Sequence, residues 1–142
     1  CMPGRPRDLA MDNTRRHMAH PDVVYGWQQL PEYHATRQLA RTIGRLLMSM
    51  PPALRRISGR AFMHAPVLIA RGIAGANADM PPGDDLTREE REAFRSSALE
   101  GVELLRSAFR LLRSKRLGSQ ADLLVGLVLL ERIEQRVSRS PP

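Results

Sequence analysis

Apolar residues recur at every third or fourth position in four separate segments, the spacing of one face of an α-helix. The first segment runs from about Pro31, a residue suited to a first helical turn, to Met50. No segment alternates with period two for long enough to predict a strand. The sequence therefore predicts an all-α protein. The apolar positions of the first helix are Leu39, Ile43, Leu46, Leu47 and Met50.

Proline residues set the bounds of the second predicted helix and interrupt its middle. The pair Pro51-Pro52 ends the first helix, and the second is expected from about Ala53 to Ala76. Pro66 lies inside that range. Because proline lacks an N–H and crowds the carbonyl four residues earlier, we expect a kink at Pro66. The predicted apolar stripe comprises Leu54, Ile57, Ala61, Ala65, Leu68, Ile69, Gly72 and Ile73.

Helix-capping signals delimit the third and fourth helices. A Pro- and Gly-containing loop over 77–86 precedes Thr87, which forms a predicted capping box with Glu90. Gly118 is a natural helix stop, and Ser119 is the expected cap of a fourth helix that extends to about Val137. Short connections favour an antiparallel up-down-up-down four-helix bundle over residues 23–137. The predicted core face of the third helix comprises Phe94, Ala98, Val102, Leu105, Phe109 and Leu112.

The two ends of the chain differ from the helical segments in composition. Residues 1–22 are polar and contain several prolines without a periodic apolar face, and residues 138–142 are similar. Such segments bury too little apolar surface to offset the entropy lost on ordering. We therefore expect a flexible N-terminal extension over 1–22 and a flexible tail over 138–142.

The fourth helix is apolar on nearly all sides. Leu123, Leu127 and Leu130 share one face, whereas Leu124 and Val128 lie elsewhere on the helix. A helix of this kind has to be covered on all sides. A second subunit is the favoured cover, which predicts a homo-oligomer with Leu124 and Val128 in its interface. The alternative is that the N-terminal segment covers this face.

Positive charge is concentrated in the first two helices. The net charge is +7, and the segment from Tyr33 to Ala78 carries seven arginines and no Asp or Glu. A basic, acid-free surface is typical of proteins that bind polyanions, and nucleic acid is favoured over a membrane surface. The alternative is a solvated surface in an arginine-rich composition. Aromatic residues are 4% of the chain, which disfavours base stacking. The predicted nucleic-acid-binding residues are Arg37, Arg41, Arg45, Arg56 and Arg60.

Catalytic and metal-binding patterns are weak. The chain has one cysteine, Cys1, and its four histidines, His17, His20, His34 and His64, form no recognisable triad or metal motif. Asp79, Asp84 and Asp85 lack the spacing of a calcium loop. No apolar run approaches the roughly 18 residues that a membrane helix needs. We therefore expect a soluble cytoplasmic protein without enzymatic activity or cofactor. The alternative function is a scaffold whose basic face docks an acidic protein.

Several short motifs stand in the order found in one protein family: Tyr25, Trp27-Gln28, Leu39-Ala40, Pro66 with Ile69-Ala70-Arg71-Gly72, and Lys115-Arg116-Leu117-Gly118. Over residues 23–137 the chain resembles the four-helix-bundle proteins encoded in intervening sequences of 23S ribosomal RNA genes. That group includes the accessory variability determinant of diversity-generating retroelements. The resemblance implies a non-enzymatic bundle that assembles into rings, commonly pentamers. In the retroelement branch it implies binding of nucleic acid and a reverse transcriptase. Arg71 departs from the family pattern, which commonly has Glu there.

Overall fold

The computed structural model describes residues 26–77 and 87–139, and these residues form four long helices and no strand. A short 3-10 helix over Gly26–Gln29 precedes α1, Pro31–Ser49. The chain continues into α2, Pro52–Ala76, then α3, Arg88–Ser114, and α4, Gln120–Arg139. The predicted all-α class is confirmed for the described residues. The predicted extension over 1–22 and residues 140–142 of the predicted tail lie outside them.

The predicted caps of α3 and α4 are present. The Thr87 side chain accepts a hydrogen bond from the Glu90 backbone N–H, and the Glu90 carboxylate accepts one from the Thr87 N–H. The Ser119 hydroxyl accepts from the Asp122 N–H at 3.2 Å. Gly118 has a φ of +78°, a backbone conformation that glycine adopts without a Cβ clash. Local chemistry thus fixes where α3 begins and where the turn to α4 lies.

The four helices form a closed arrangement around one core. Each helix packs against the next in sequence, and α4 packs against α1. Glycines permit the closest approaches. A Cβ on Gly72 would lie 2.7 Å from the Phe94 carbonyl oxygen of α3, and one on Gly126 would lie 2.6 Å from the Phe109 ring. The α2–α3 and α3–α4 interfaces therefore depend on residues without side chains.

The predicted apolar stripes of α1 and α3 form the core, except that Phe94 of α3 is only half-buried. Leu39, Ile43 and Leu46 are fully buried, and so are Ala98 and Val102 of α3. The rings of Phe62 and Phe109 stack with their centroids 6.0 Å apart. In α4, Leu123, Leu130 and Ile133 complete the buried surface. Burial of these side chains is the main source of stability for a bundle of this size.

The predicted stripe of α2 is partly wrong. Ile57 is 82% exposed, and Ala61 and Leu68 are also exposed. Phe62 and Pro66, which the predicted stripe omitted, are buried instead. The buried set Phe62, Pro66, Ile69 and Ile73 recurs every three or four residues, and it includes the bulkiest side chain of the helix. Because two apolar stripes lie side by side on α2, burial of the aromatic ring decides which of them faces the core.

Candidate nucleic-acid interface

The α1 arginines lie on the face opposite the core. Arg37, Arg41 and Arg45 are all exposed, and each is separated by four residues from the next. Residues at this spacing share one helix face. The buried positions of α1, including Leu39 and Ile43, lie on the opposite side. Packing of the apolar stripe therefore turns the three guanidinium groups outward.

Arg45 has an acidic partner from another helix. Its Nε lies 3.3 Å from Asp122 Oδ1 in α4, and its Nη2 donates to the Thr42 hydroxyl at 3.2 Å. Asp122 is 77 residues away from Arg45 in sequence, so the pattern of the α1 segment does not predict this partner. The Arg45 side chain stays 59% exposed, so the ion pair is partly screened by solvent.

The two predicted α2 arginines, Arg56 and Arg60, are also exposed and lie one turn apart. No acidic residue occurs between Tyr33 and Asn77. Glu32, at the start of α1, is buried and 4% exposed. The structure thus places all five predicted residues on the surfaces of α1 and α2, four of them without an ion pair to any described residue.

Exposed apolar side chains also occur on α1 and α2 near these arginines, and the sequence pattern did not predict their exposure. Met48 is 74% exposed, and its sulfur lies 3.9 Å from Arg55 Nη1. Met63 and Val67 of α2 are half exposed. They escaped prediction because they fit neither the core stripe nor the charged pattern. We call the surface formed by five of the arginines the basic face: Arg37, Arg41, Arg45, Arg56 and Arg60.

The two predicted interface residues are exposed on α4. Leu124 is 46% and Val128 is 51% exposed, and Val125 beside them is similarly exposed. A second set of exposed apolar side chains lies on α2 and α3, namely Ile57, Leu68, Leu104 and Leu111. The two sets belong to different helices, α4 for the first and α2 with α3 for the second.

A second basic feature lies between α1 and α4. A cleft of about 690 Å³ is lined by Arg132, Arg136 and Arg139 of α4 and by His34 of α1. The three arginines occur at i, i+4 and i+7, which puts them on one helix face. That spacing is visible in the sequence, but Asp122, Glu131 and Glu134 balance the three arginines when charge is summed over α4.

The residues considered for catalysis or ligand stacking make contacts that serve the fold. Ser58 donates to the Leu54 carbonyl at 2.6 Å. Trp27 packs edge-on against Tyr33 at the start of α1, with ring centroids 5.0 Å apart. Among the described residues, no group of three or more His, Cys, Asp or Glu side chains is placed to hold a metal. The candidates outside the described residues are Cys1, His17, His20, Tyr25, Asp79, Asp84 and Asp85.

The fold and surface define an all-helical protein with an arginine-rich outer face. None of the described helices combines the length and apolar character needed to cross a membrane. Comparison of the chain with protein-family models, curated proteins and solved structures finds no match.

Proposed function

We propose that this chain is a non-enzymatic, homo-oligomeric four-helix bundle that binds nucleic acid, RNA or DNA, through its basic face. The observation that carries the proposal is the exposure of all five arginines on two helices whose outer surfaces have no acidic residue. Phosphates that contact such a surface release their counterions, which favours binding. The proposed protein needs no cofactor and acts in the cytoplasm. Its proposed family is that of the 23S rRNA intervening-sequence proteins.

An up-down-up-down arrangement is the bundle topology that we propose, and pairs of contacts support it. Ser49 near the end of α1 accepts from the Ser119 N–H just before α4, and the cleft at the other end joins the start of α1 to the end of α4. Gly72 of α2 meets Ala98 of α3, whereas Ile69, earlier in α2, meets Gly101, later in α3. The two helices within each pair, α1 with α4 and α2 with α3, then run in opposite directions.

The same topology would place the two halves of the basic face at matching levels of one helical hairpin. The short junction at Pro51 joins α1 to α2, and Met48 and Arg55 approach each other across it. In an antiparallel hairpin that turns there, Arg41 lies level with Arg60 and Arg45 lies level with Arg56. The proposed kink at Pro66 lies beyond the level of Arg37.

Recognition through this face would depend on phosphates rather than bases. Among the described residues of α1 and α2, no Phe, Tyr or Trp ring is exposed on which a base could stack. Phosphate contacts fix position without reading sequence. We therefore expect binding that discriminates between nucleic acids by shape and is weakened by salt.

Charge reversal on the basic face tests the proposal. The variant Arg37→Glu, Arg41→Glu, Arg60→Glu is expected to lose measurable affinity for RNA and DNA in a fluorescence-anisotropy titration. Its helicity, measured by circular dichroism, should match the wild type because all three side chains are exposed. Arg45 is left in place because its ion pair with Asp122 contributes to the α1–α4 contact.

A matched control separates a local site from net charge. The variant Arg88→Glu, Arg110→Glu, Arg113→Glu changes three exposed arginines of α3, so its net charge falls equally. Binding by the control variant should remain within a few fold of wild type. Equal loss in both variants, or unchanged binding in the first, would rule out the basic face as the site.

A protein partner is the second candidate, and the exposed methionines favour it. Met48 and Met63 place flexible apolar side chains within the basic face, a composition typical of protein-binding surfaces. Such a partner would be acidic with an apolar centre. If a protein binds there, its complex with this chain should survive nuclease treatment. The variant Met48→Ser, Met63→Ser should then lose that protein partner while its nucleic-acid affinity stays unchanged. Loss of nucleic-acid affinity in that variant would instead assign the methionines to the nucleic-acid site.

Self-association is the third part of the proposal. The exposed residues Leu124 and Val128 form an apolar surface on α4 that a second copy would cover. The separate patch around Ile57 and Leu104 offers a different apolar surface to that copy. Two unlike surfaces favour a head-to-tail contact, which closes into a ring when the rotation allows it. A pentamer is the ring that the family resemblance implies.

A further inference from the structure

The cleft between α1 and α4 has a lining that suits an anion. It is open to solvent, measures about 690 Å³, and receives Arg132, Arg136 and Arg139 from the last turns of α4. His34 and Gln38 add side-chain N–H groups, and Gln135, whose Nε2 donates to Glu131 Oε1 at 3.4 Å, also lines the cleft. No Asp or Glu is among its lining residues. A cleft lined in this way offers hydrogen-bond donors and positive charge to one ligand.

Charge on α4 is divided between its two sides. Glu131 and Glu134 line the groove on the α3 side, where Glu134 accepts a hydrogen bond from Arg106. The three arginines face the cleft on the α1 side. No described residue forms an ion pair with Arg132 or Arg139. The acids of α4 therefore do not pair with Arg132 or Arg139.

The polar lining favours a hydrated, charged ligand, since sites for apolar ligands are lined mainly by hydrophobic side chains. A guanidinium group presents parallel N–H donors that match the oxygens of a phosphate. Three such groups line this one cleft, and two of them, those of Arg132 and Arg139, form no ion pair with a described residue, which suits a ligand with more than one negative charge. We propose that the α1–α4 cleft binds a phosphate group with two or more negative charges, either free or at the end of a nucleic-acid strand.

This site differs from the basic face in geometry and in the helix that supplies its cations, although α1 contributes residues to both. The basic face is a row of arginines on the outer surfaces of α1 and α2, whereas the cleft is a concave site in which α4 supplies the cations. The proposal therefore does not rest on the proposed function. Loss of the two α2 charges of the basic face, Arg56 and Arg60, should leave phosphate binding in the cleft unchanged, because α2 contributes no residue to its lining.

Calorimetric titration of the full chain with sodium pyrophosphate at low salt tests the proposal. Wild-type protein should bind at one site per chain. The variant Arg132→Gln, Arg139→Gln should raise the Kd by roughly tenfold or more, because two charge-assisted contacts are lost. The matched control Arg110→Gln, Arg113→Gln removes the same charge from α3 and should bind as wild type does. Absence of wild-type binding, or equal weakening in the control, would overturn the proposal.

A second titration identifies the source of the phosphate. Two oligonucleotides of the same sequence, one 5′-phosphorylated and one with a 5′-hydroxyl, are compared with wild type and with Arg132→Gln, Arg139→Gln. Preference for the phosphorylated strand that this variant removes assigns the cleft to a strand terminus. Equal binding of both strands, with pyrophosphate binding retained, assigns it to a free phosphate compound.

Discussion

At the residue scale, glycine packing decides how closely α2 and α3 approach. A Cβ on Gly72 would lie 2.7 Å from the Phe94 carbonyl oxygen and 2.8 Å from the Ala98 Cβ, so the helices would have to separate. Gly72→Ala should lower the free energy of unfolding by about 1–3 kcal/mol, as other overpacking substitutions do. Urea denaturation followed by circular dichroism measures the change.

Gly44 provides the control for that substitution. It lies within α1, and a Cβ there would meet no atom within 4 Å. Gly44→Ala should therefore raise the free energy of unfolding by up to about 1 kcal/mol, the gain in helix propensity. Similar effects of the two substitutions would contradict the close α2–α3 packing.

The exposure of the basic-face residues was predictable, but the pairing of one of them was not. Helical periodicity predicts the exposure of Arg37, Arg41 and Arg45 once the apolar stripe is placed inward. The Arg45–Asp122 ion pair depends on which helix packs beside α1 and in which register. Periodicity within one segment contains no information about either.

At the element scale, helix ends were predicted well because their signals are local. The capping box at Thr87, the cap at Ser119 and the proline junction at Pro51 each act over a few residues. The α2 stripe was predicted less well because Ile57 and Phe62 belong to competing apolar faces. Only packing against Phe109 of α3 decides between them. The arginines of the α1–α4 cleft were missed for a similar reason, since a cleft forms between helices.

Arg106 links two helices, and its loss should destabilise the bundle. Its guanidinium group, 15% exposed, donates to Glu103 in α3 and to Glu134 in α4. Arg106→Ala should lower the free energy of unfolding by about 1 kcal/mol, the upper range for a partly exposed ion pair. Arg110→Ala, at an exposed position one turn later, should change it by less than about 0.5 kcal/mol.

A double-mutant cycle of Arg106→Ala with Glu134→Gln isolates the contact between α3 and α4. The coupling energy should favour the folded state. It should become smaller in high salt, because the Glu134 side chain is 40% exposed. A coupling energy of zero at low salt would show that the contact adds nothing to the packing of the two helices.

At the scale of the whole molecule, assembly is expected to depend on the exposed side of α4. A chain of 16.0 kDa that self-associates should elute above its monomer mass in light-scattering chromatography at micromolar concentration. Leu124→Glu with Val128→Glu should shift it to the monomer, because burying two carboxylates without partners is costly. The control Ala121→Glu with Gln135→Glu tests whether charge on α4 alone has this effect. A monomeric wild type would contradict the assembly.

The central claim, that the basic face binds nucleic acid, is tested most directly by salt-dependent titration of the wild-type protein. Fluorescence anisotropy is measured with structured RNA, duplex DNA and heparin over a series of salt concentrations. Four unpaired arginines predict a slope of log K against log salt of roughly −3 to −4 for duplex DNA. We expect at least one nucleic acid to bind more tightly than heparin. Absence of binding at low salt, or affinity independent of salt, would contradict the account.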